Sequence, residues 1–263
     1  MRLYKETYLR KKFSSILFTL FSRLENNNNA DFITNGEERF VNDYFSSLRG
    51  PVTLFDVGGN IGGYSEILVE QCKKRKLEYS IHVFEPTQSC FGILLQKFSN
   101  DNEIHLNNVG ASDSATKADI YYDTEQSGFA SLYQRDLSSM NVTMNQKETI
   151  TLTRLDTYIE ERKIEKIDLL KIDIEGHELA AFRGLGSYLN SETIAAIQFE
   201  YGGANIDSKT TLREIYNLLE NAGFVIAKIM KTGIEIRKYS SMIENYQYAN
   251  YVALSKSLIP SHQ

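Results

Sequence analysis

Residues 54–65 read Leu-Phe-Asp-Val-Gly-Gly-Asn-Ile-Gly-Gly-Tyr-Ser, an apolar run followed by a glycine-rich turn. The apolar run predicts a buried strand, and the turn predicts a tight connection into a helix. Similar β-rich runs alternate with amphipathic helical segments along the rest of the chain, as in a parallel sheet covered on both faces. The predicted strands are 53–57, 79–84, 103–109, 167–173, 193–200, 224–230 and 250–254, and the predicted helices between them are 63–74, 87–99, 177–190 and 211–222.

The domain organisation follows from where this alternation holds. The alternation extends over 51–256 and predicts one α/β domain. It is interrupted within that range by 113–153, a polar, turn-rich segment that predicts an inserted hairpin or lid. Residues 1–50 are predicted to be a helical extension and 257–263 a tail. Residues 1–24 are basic and amphipathic, which predicts a helix used for a packing or dimer contact or, alternatively, for a peripheral membrane contact.

Composition narrows the classes of partner and the cellular setting. The chain has 263 residues, 29 basic and 34 acidic, and a formal net charge of −5. A mildly acidic chain lacks the clustered cations that grip a phosphate backbone, so no nucleic-acid partner is predicted. The two cysteines form no CxxC pair, and no run is long enough to cross a membrane. We therefore predict a cytoplasmic protein, with a membrane-peripheral location as the alternative.

The acids near the glycine turn predict the class of ligand. Glu85 ends the second strand, 29 residues after Asp56, where a carboxylate can accept both hydroxyls of a ribose. The turn itself reads Asp-x-Gly-x-Asn-x-Gly, and an acid at its head suits the ammonium of an amino acid better than a pyrophosphate. S-adenosylmethionine (SAM) has a ribose, an ammonium and no phosphate.

Four segments together resemble the motifs of the FkbM family of SAM-dependent methyltransferases. They are 56–65, Phe84-Glu-Pro86, Asn108-Val-Gly-Ala-Ser-Asp113 and 167–176, in the family's order. The resemblance implies a Rossmann-like class I methyltransferase fold, with a seven-stranded, mostly parallel sheet whose last strand is antiparallel. It also implies O-methylation of sugars, glycans or natural products. The residues that it implies for cofactor binding are Asp56, Gly58, Asn60, Gly62, Glu85, Pro86, Gly110 and Ala111.

Candidate catalytic residues lie at the carboxyl ends of the fourth and fifth strands. A hydroxyl acceptor needs a general base or a cation to lower its pKa. Strand alternation places Lys171, Asp173 and Glu175 on one side, where Lys171 is predicted to neutralise an acid. Asp173 is the predicted base or cation ligand, and a divalent ion (Mg or Mn) shared with Glu200 is a further hypothesis. The predicted catalytic set is Asp173, Glu175, His177 and Glu200.

The predicted activity is therefore O-methylation of a hydroxyl on a sugar, a glycan or a glycosylated natural product. The alternatives are a methyltransferase for another small molecule or a lipid, and a non-catalytic module that binds SAM or a glycan. A nicotinamide-dependent dehydrogenase is disfavoured by Asn60 and by the acid that heads the turn. A nucleobase amine methyltransferase is disfavoured because the only three prolines, Pro51, Pro86 and Pro260, provide no Asn/Asp-Pro-Pro site.

Overall fold

A computed structural model describes residues 4–259 of the protein. The strands are β1 Val52–Val57, β2 Tyr79–Phe84, β3 Ile104–Asn107, β4 Gly110–Ala111, β5 Thr116–Tyr122, β6 Gln146–Thr153, β7 Ile167–Ile172, β8 Ile194–Tyr201, β9 Phe224–Met230, β10 Gly233–Ile236 and β11 Ala249–Ser255. The helices are α1 Tyr8–Leu24, α2 Glu37–Ser47, α3 Gly63–Arg75, α4 Gln88–Phe98, α5 Leu155–Arg162, α6 Glu178–Gly184, α7 Ala204–Asp207 and α8 Leu212–Asn221.

Eight strands form the main sheet, in the order β10-β9-β11-β8-β7-β1-β2-β3. Strands β3, β2, β1, β7 and β8 pair in parallel, whereas β11 is antiparallel to both β8 and β9. This confirms the predicted α/β class I methyltransferase fold, including its antiparallel last strand. The hairpin strand β10 at the edge was not predicted, because its half-exposed Ile234 and Ile236 give no burial pattern.

The core explains why the parallel strands are continuous apolar runs. All six residues of β7 are buried, and separate clusters of apolar side chains cover the two faces of the sheet. Helix α2 contributes the buried Phe40, Val41 and Phe45 to one of these clusters. The proposed boundary at residue 50 therefore needs correction, since α2 and the segment 26–36 pack on the domain and only α1 projects.

The inserted segment forms a small three-stranded sheet in the order β4-β6-β5. Strands β5 and β6 form an antiparallel hairpin, as predicted, and β6 also pairs in parallel with β4. The loop 123–145 connects β5 to β6 and contains one 3-10 turn, Ser138–Met140. We refer to 113–153 as the lid.

Two predicted boundaries differ from the structure. The helix predicted over 177–190 ends at Gly184, two residues before Gly186 leaves the right-handed helical region with a φ of +52°. Gly184 itself is needed for packing, because a Cβ there would lie 2.0 Å from the carbonyl oxygen of Ser112. At the start of the predicted tail, residues 257–258 belong to a 3-10 turn, Lys256–Leu258. Residues 260–263 of the predicted tail and residues 1–3 of the predicted extension lie outside the described residues. Among the described residues, no helix is long and apolar enough to cross a bilayer.

Candidate active site

A cavity of about 660 Å³ lies at the carboxyl ends of the parallel strands. The ends of β1, β2, β7 and β8 form its floor, and the lid covers it. Ligands of open α/β sheets bind at this edge, because the loops there leave a crevice. The predicted site residues that line the cavity are Gly58, Asn60, Glu85, Pro86, Gly110, Ala111, Asp173, Glu175, His177 and Glu200.

The glycine turn is shaped by the protein's own packing. Gly58 has a φ of +92°, and a Cβ there would lie 1.9 Å from the carbonyl oxygen of Asp173. A Cβ on Gly59 would lie 2.4 Å from a methyl of Val83. These glycines therefore allow the turn after β1 to approach its neighbours closely, so the missing Cβ atoms are required by the protein's own packing.

Glu85 connects the turn to the end of β2. Its Oε2 accepts a hydrogen bond of 2.9 Å from the backbone N–H of Asn60, and its Oε1 accepts bonds from the N–H and hydroxyl of Thr87, at 2.9 and 2.6 Å. Burial raises the pKa of Glu85, while these three donors lower it in part. A carboxylate has about four lone-pair sites, so with three donors bound Glu85 keeps acceptor capacity on Oε2 for one ligand hydroxyl.

Asp56 and Gly62 need correction, because neither lines the cavity. Asp56 is fully buried beneath the turn, where its Oδ2 accepts a 2.6 Å bond from the hydroxyl of Ser65. Gly62 faces Phe98 and Leu94, which a Cβ would approach to 2.7 and 2.9 Å. Both residues position the turn from below. Oδ1 of Asp56 is buried and has no hydrogen-bond partner among the described residues.

Lys171 is the cation at the centre of the acidic floor. Its Nζ lies 2.7 Å from Oδ2 of Asp173 and 4.8 Å from the centre of the Tyr64 ring. Burial alone would lower the pKa of Lys171, but the surrounding carboxylates, Asp173 first among them, raise it overall. Lys171 thus pairs with an acid, Asp173, as predicted from the strand alternation.

Glu200 lies on the next strand and faces the same cavity. Its Oε1 accepts a 2.7 Å hydrogen bond from the hydroxyl of Tyr248. Burial, with the nearby charge of Asp173, raises the pKa of Glu200 well above its ordinary value. One lysine does not neutralise all the carboxyl groups around it, so the remaining repulsion between them favours the protonated form of Glu200.

The loop after β7 is joined to the lid. Glu175, in a left-handed conformation with φ of +50°, pairs with Arg135 of the lid at 2.5 Å. Burial and Asp173 raise the pKa of Glu175 to about 8, against the opposing effect of Arg135. The carbonyl of Glu175 also accepts a 2.7 Å bond from the hydroxyl of Ser131. Glu175 is thus held as a contact to the lid, which corrects its predicted side-by-side placement with Asp173 on the strand.

His177 has both ring nitrogens engaged. Nε2 lies 3.0 Å from the hydroxyl of Ser112 and Nδ1 lies 2.9 Å from the hydroxyl of Tyr133. Burial lowers the pKa of His177, so the ring is neutral near pH 7 and one hydroxyl must donate to it. These contacts favour a positioning role over the predicted role as base.

The metal hypothesis does not fit this arrangement. Within 4–259, no group of three or more His, Cys, Asp or Glu side chains is arranged to hold a metal ion. Asp173 is paired with Lys171, and Glu200 with Tyr248, so each acid already has a partner. We derive no step that uses a metal.

Sequence reasoning missed Arg135, Thr87 and Asn205. Arg135 is the only cation in the loop 123–145, and that isolation within a polar, acidic segment was the available signal. Thr87 follows Glu85 by two residues, a spacing that permits the observed local bond. Asn205 is buried, lines the cavity and has no partner for its Nδ2 among the described residues, but its sequence context carries no signal.

The strand order, the antiparallel last strand and a cavity that opens between the ends of β1, β2 and β7 define a class I SAM-dependent methyltransferase. The residues fit that cofactor: Glu85 can accept from a ribose hydroxyl, Gly110 and Ala111 form an apolar wall beside it, and the excess of acids suits a cationic ligand. The chain belongs to the FkbM methyltransferase family, because residues 56–226 match the family described as Methyltransferase FkbM domain.

The chain is also similar to individual proteins. The chain is 25% identical over 210 residues to Methyltransferase 1 of Beauveria bassiana, covering 73% of this chain and 80% of the relative. Among solved structures, the FkbM methyltransferase of Methylobacillus flagellatus KT superposes with a TM-score of 0.49 at 14% identity, covering 91% of this chain and 60% of that one. A SAM-dependent methyltransferase of Agrobacterium tumefaciens gives 0.43 at 8% identity, covering 83% of this chain and 61% of that one.

Proposed function

We propose that this methyltransferase transfers the methyl group of SAM to a hydroxyl of a sugar, glycan or glycosylated natural product. The observation that carries the proposal is the placement of Asp173 and Glu200 at adjacent strand ends, in the wall of the cavity that Asn60 and Glu85 also line. A carboxylate facing the methyl group is what a weakly acidic hydroxyl requires from the protein.

Asp173 is the residue we assign as general base. Its Oδ2 is held by Lys171, while Oδ1 has no hydrogen-bond partner among the described residues and the side chain is 27% exposed. Lys171 is a positioning residue, since it fixes the carboxylate without reaching the acceptor. SAM, when bound, supplies an electrophilic methyl on a sulfonium, and Asp173 accepts the proton that the hydroxyl loses.

Glu200 is a less suitable base because burial and the nearby charge of Asp173 raise its pKa, which favours the protonated carboxyl. In that state, Glu200 can donate a hydrogen bond to an acceptor oxygen and orient it. The unpartnered Nδ2 of Asn205 is a second donor at the same wall. Together they provide the polar contacts that a polyhydroxylated acceptor needs.

The aromatic lining supports a carbohydrate acceptor. Sugar rings stack on aromatic faces, and tyrosine adds a hydroxyl for hydrogen bonding. The aromatic side chains that line the cavity are Phe84, Tyr122, Phe129, Tyr201, Tyr246 and Tyr248. Two further tyrosines are not available for stacking, since Tyr251 is buried in the core and Tyr133 contacts His177.

The test offers labelled SAM to a panel of glycans, glycosides, lipids and aglycones. We expect label on a glycan or glycoside, and we expect Asp173→Asn to lower turnover about 10²- to 10⁴-fold, the usual contribution of a general base. SAM binding, measured by calorimetry, should persist in this variant. Asp43→Asn, an exposed substitution on α2, is the matched control.

Four outcomes would contradict the proposal. Unchanged turnover in Asp173→Asn would remove the assigned base. Label found only on lipids or aglycones would favour another acceptor class. SAM binding without transfer to any acceptor would favour a binding module, and a thermal shift with NAD but none with SAM would favour a dehydrogenase.

A further inference from the structure

Helix α1 projects from the domain and buries little of its surface. Of its 17 residues, only Ser22 is buried, and Phe13 and Leu17 are 63% and 51% exposed. The apolar residues recur at helical spacing and, apart from Tyr8 and Phe18, form a stripe on one side of the helix. The members of this apolar stripe are Leu9, Phe13, Ile16, Leu17, Leu20, Phe21 and Leu24.

The charge of α1 is opposite to that of the rest of the protein. The helix contains Arg10, Lys11, Lys12 and Arg23 and no acidic residue. Residues 1–24 carry a net charge of +5. Because the whole chain carries −5, the remaining residues carry a net charge of −10. An anionic surface therefore attracts this segment and repels the body of the protein.

The base of α1 is fixed to the domain next to the cavity. The hydroxyl of Ser22 donates a 2.6 Å bond to Gln247, and Glu25 pairs with Arg237 at 2.9 Å. The backbone N–H of Asn28 donates to the carbonyl of Tyr248 at 2.8 Å. Asn28 and Ala30 themselves line the cavity. The orientation of α1 thus also determines where the cavity lies relative to whatever α1 contacts.

We infer that α1 is an interfacial helix that binds an anionic lipid bilayer through its apolar stripe. Helices that lie in a membrane surface combine an apolar face with Lys and Arg around a polar face, as α1 does. A second copy of the chain is a poorer occupant. A helix of this length is about 25 Å long and about 10 Å across, so one face offers far less than the about 800 Å² per partner of a stable interface.

This binding would bring the cavity to the membrane surface. Because α1 meets the domain four residues before Asn28, the cavity lies beside the part of the protein nearest the lipid. An anionic bilayer repels the acidic body of the protein, and this repulsion further limits the orientation of the domain relative to the membrane. An acceptor carried at the membrane surface would then reach the site directly. The lipid-binding inference itself does not depend on the acceptor that we propose.

The absence of tryptophan from the chain provides a clean test. Phe13→Trp places a single fluorophore on the apolar stripe, and Thr19→Trp places one on the opposite face. With vesicles of phosphatidylcholine containing about 30% phosphatidylserine, we expect a blue shift for the first variant and little shift for the second. Neutral vesicles and high salt should each weaken binding about tenfold or more.

Charge variants separate the two contributions to binding. Leu17→Asp should abolish sedimentation with anionic vesicles, whereas Ser15→Asp, with the same charge change on the polar face, should retain most of it. Replacing both Lys11 and Lys12 by Ser should weaken partitioning about thirtyfold. These residues are exposed, so each variant should keep the melting temperature of the parent.

Two results would overturn the inference. Equal sedimentation of Leu17→Asp and the parent would show that the stripe does not contact lipid. Failure of the parent to bind anionic vesicles, combined with a dimer in light scattering that Leu17→Asp dissociates, would assign the stripe to a second copy of the chain. Activity on soluble acceptors is measured separately, so neither result depends on the proposed methyl transfer.

Discussion

Gly58 shows how a single residue can be required by the fold at a site that looks reserved for a ligand. Its backbone has φ of +92°, and any side chain would point into the carbonyl of Asp173. The same carbonyl belongs to the residue that we assign as base. The position therefore couples the turn after β1 to the end of β7, independently of cofactor binding.

Gly58→Ala should lower the free energy of unfolding by about 2–4 kcal/mol, through backbone strain and the clash. Gly63→Ala is the matched control, because no atom lies within 4 Å of a Cβ there and the residue begins α3. The control should change stability by no more than about 1 kcal/mol. Equal losses in urea denaturation would refute this account of the turn.

Glu178 supplies a pH dependence with a defined sign. Its Oε1 accepts from the N–H groups of Ile174 and Gly176, and its Oε2 is buried without a partner among the described residues. Burial raises its pKa from 4.5 to about 7. Because the pKa of Glu178 is higher in the folded state than in the unfolded state, its protonation stabilises the fold. This contribution to stability is fully present below pH 4.5 and is lost as the pH rises through about 7.

The parent should therefore lose about 3 kcal/mol of stability between pH 4 and pH 8 through this one group. Glu178→Gln keeps an acceptor for the two amides and cannot ionise, so its stability curve should lack this component. Urea denaturation across that pH range measures the difference. Parallel curves for parent and variant would contradict the raised pKa.

At the scale of elements, the parallel strands were predicted to within about two residues because burial on both faces leaves uninterrupted apolar runs. The hairpin of the lid was predicted from a break in this pattern, and β5 and β6 confirm it. The residues that the lid contacts were not predicted. Arg135 of the lid pairs with Glu175 and Asp207, which lie 40 and 72 positions later in the sequence. Periodicity reports burial and cannot report such distant pairs.

Arg135 should control how firmly the lid is closed. Its side chain is 6% exposed and joins the lid to Glu175 and, at 3.6 Å, to Asp207. Arg135→Gln leaves two acids without their cation, which should raise amide exchange across 123–145 at least about tenfold, corresponding to a loss of about 1.4 kcal/mol or more.

Lys147→Gln is the control within the same lid. It removes an ion pair with Asp119 that is exposed to solvent, and such pairs contribute little to stability. Hydrogen exchange followed by mass spectrometry should show no change for this variant. If both variants leave exchange over 123–145 unchanged, the lid is held by its apolar contacts instead.

For the whole molecule, the sequence predicted the fold and the location of the site better than the roles inside it. Glu85 and Asn60 line the cavity as expected, yet Asp56 and Gly62 lie beneath it. The motif identifies which residues are near the ligand, but side-chain direction at a turn depends on packing from α4 and β7. The contacts of His177 and Glu175 could not be predicted for the same reason, since Tyr133 and Arg135 reach them from the lid.

SAM should stabilise the whole domain by mass action. At 100 times its dissociation constant, a ligand that binds only the folded state adds about 2.7 kcal/mol. Glu85→Gln should remove most of this increment by weakening the ribose contact, whatever it does to the melting temperature without ligand. Glu103→Gln, an exposed change just before β3, should retain the full increment in thermal denaturation.

The junction between the lid and the loop after β7 has a consequence for redesign. Ser131, Tyr133 and Arg135 are bonded to residues 175–177, only two positions beyond Asp173. A chimera that exchanges the lid alone would leave this loop without its contacts and would disturb the base along with the acceptor pocket. Retargeting the enzyme to a new acceptor thus calls for moving 113–153 and 173–178 together as one module.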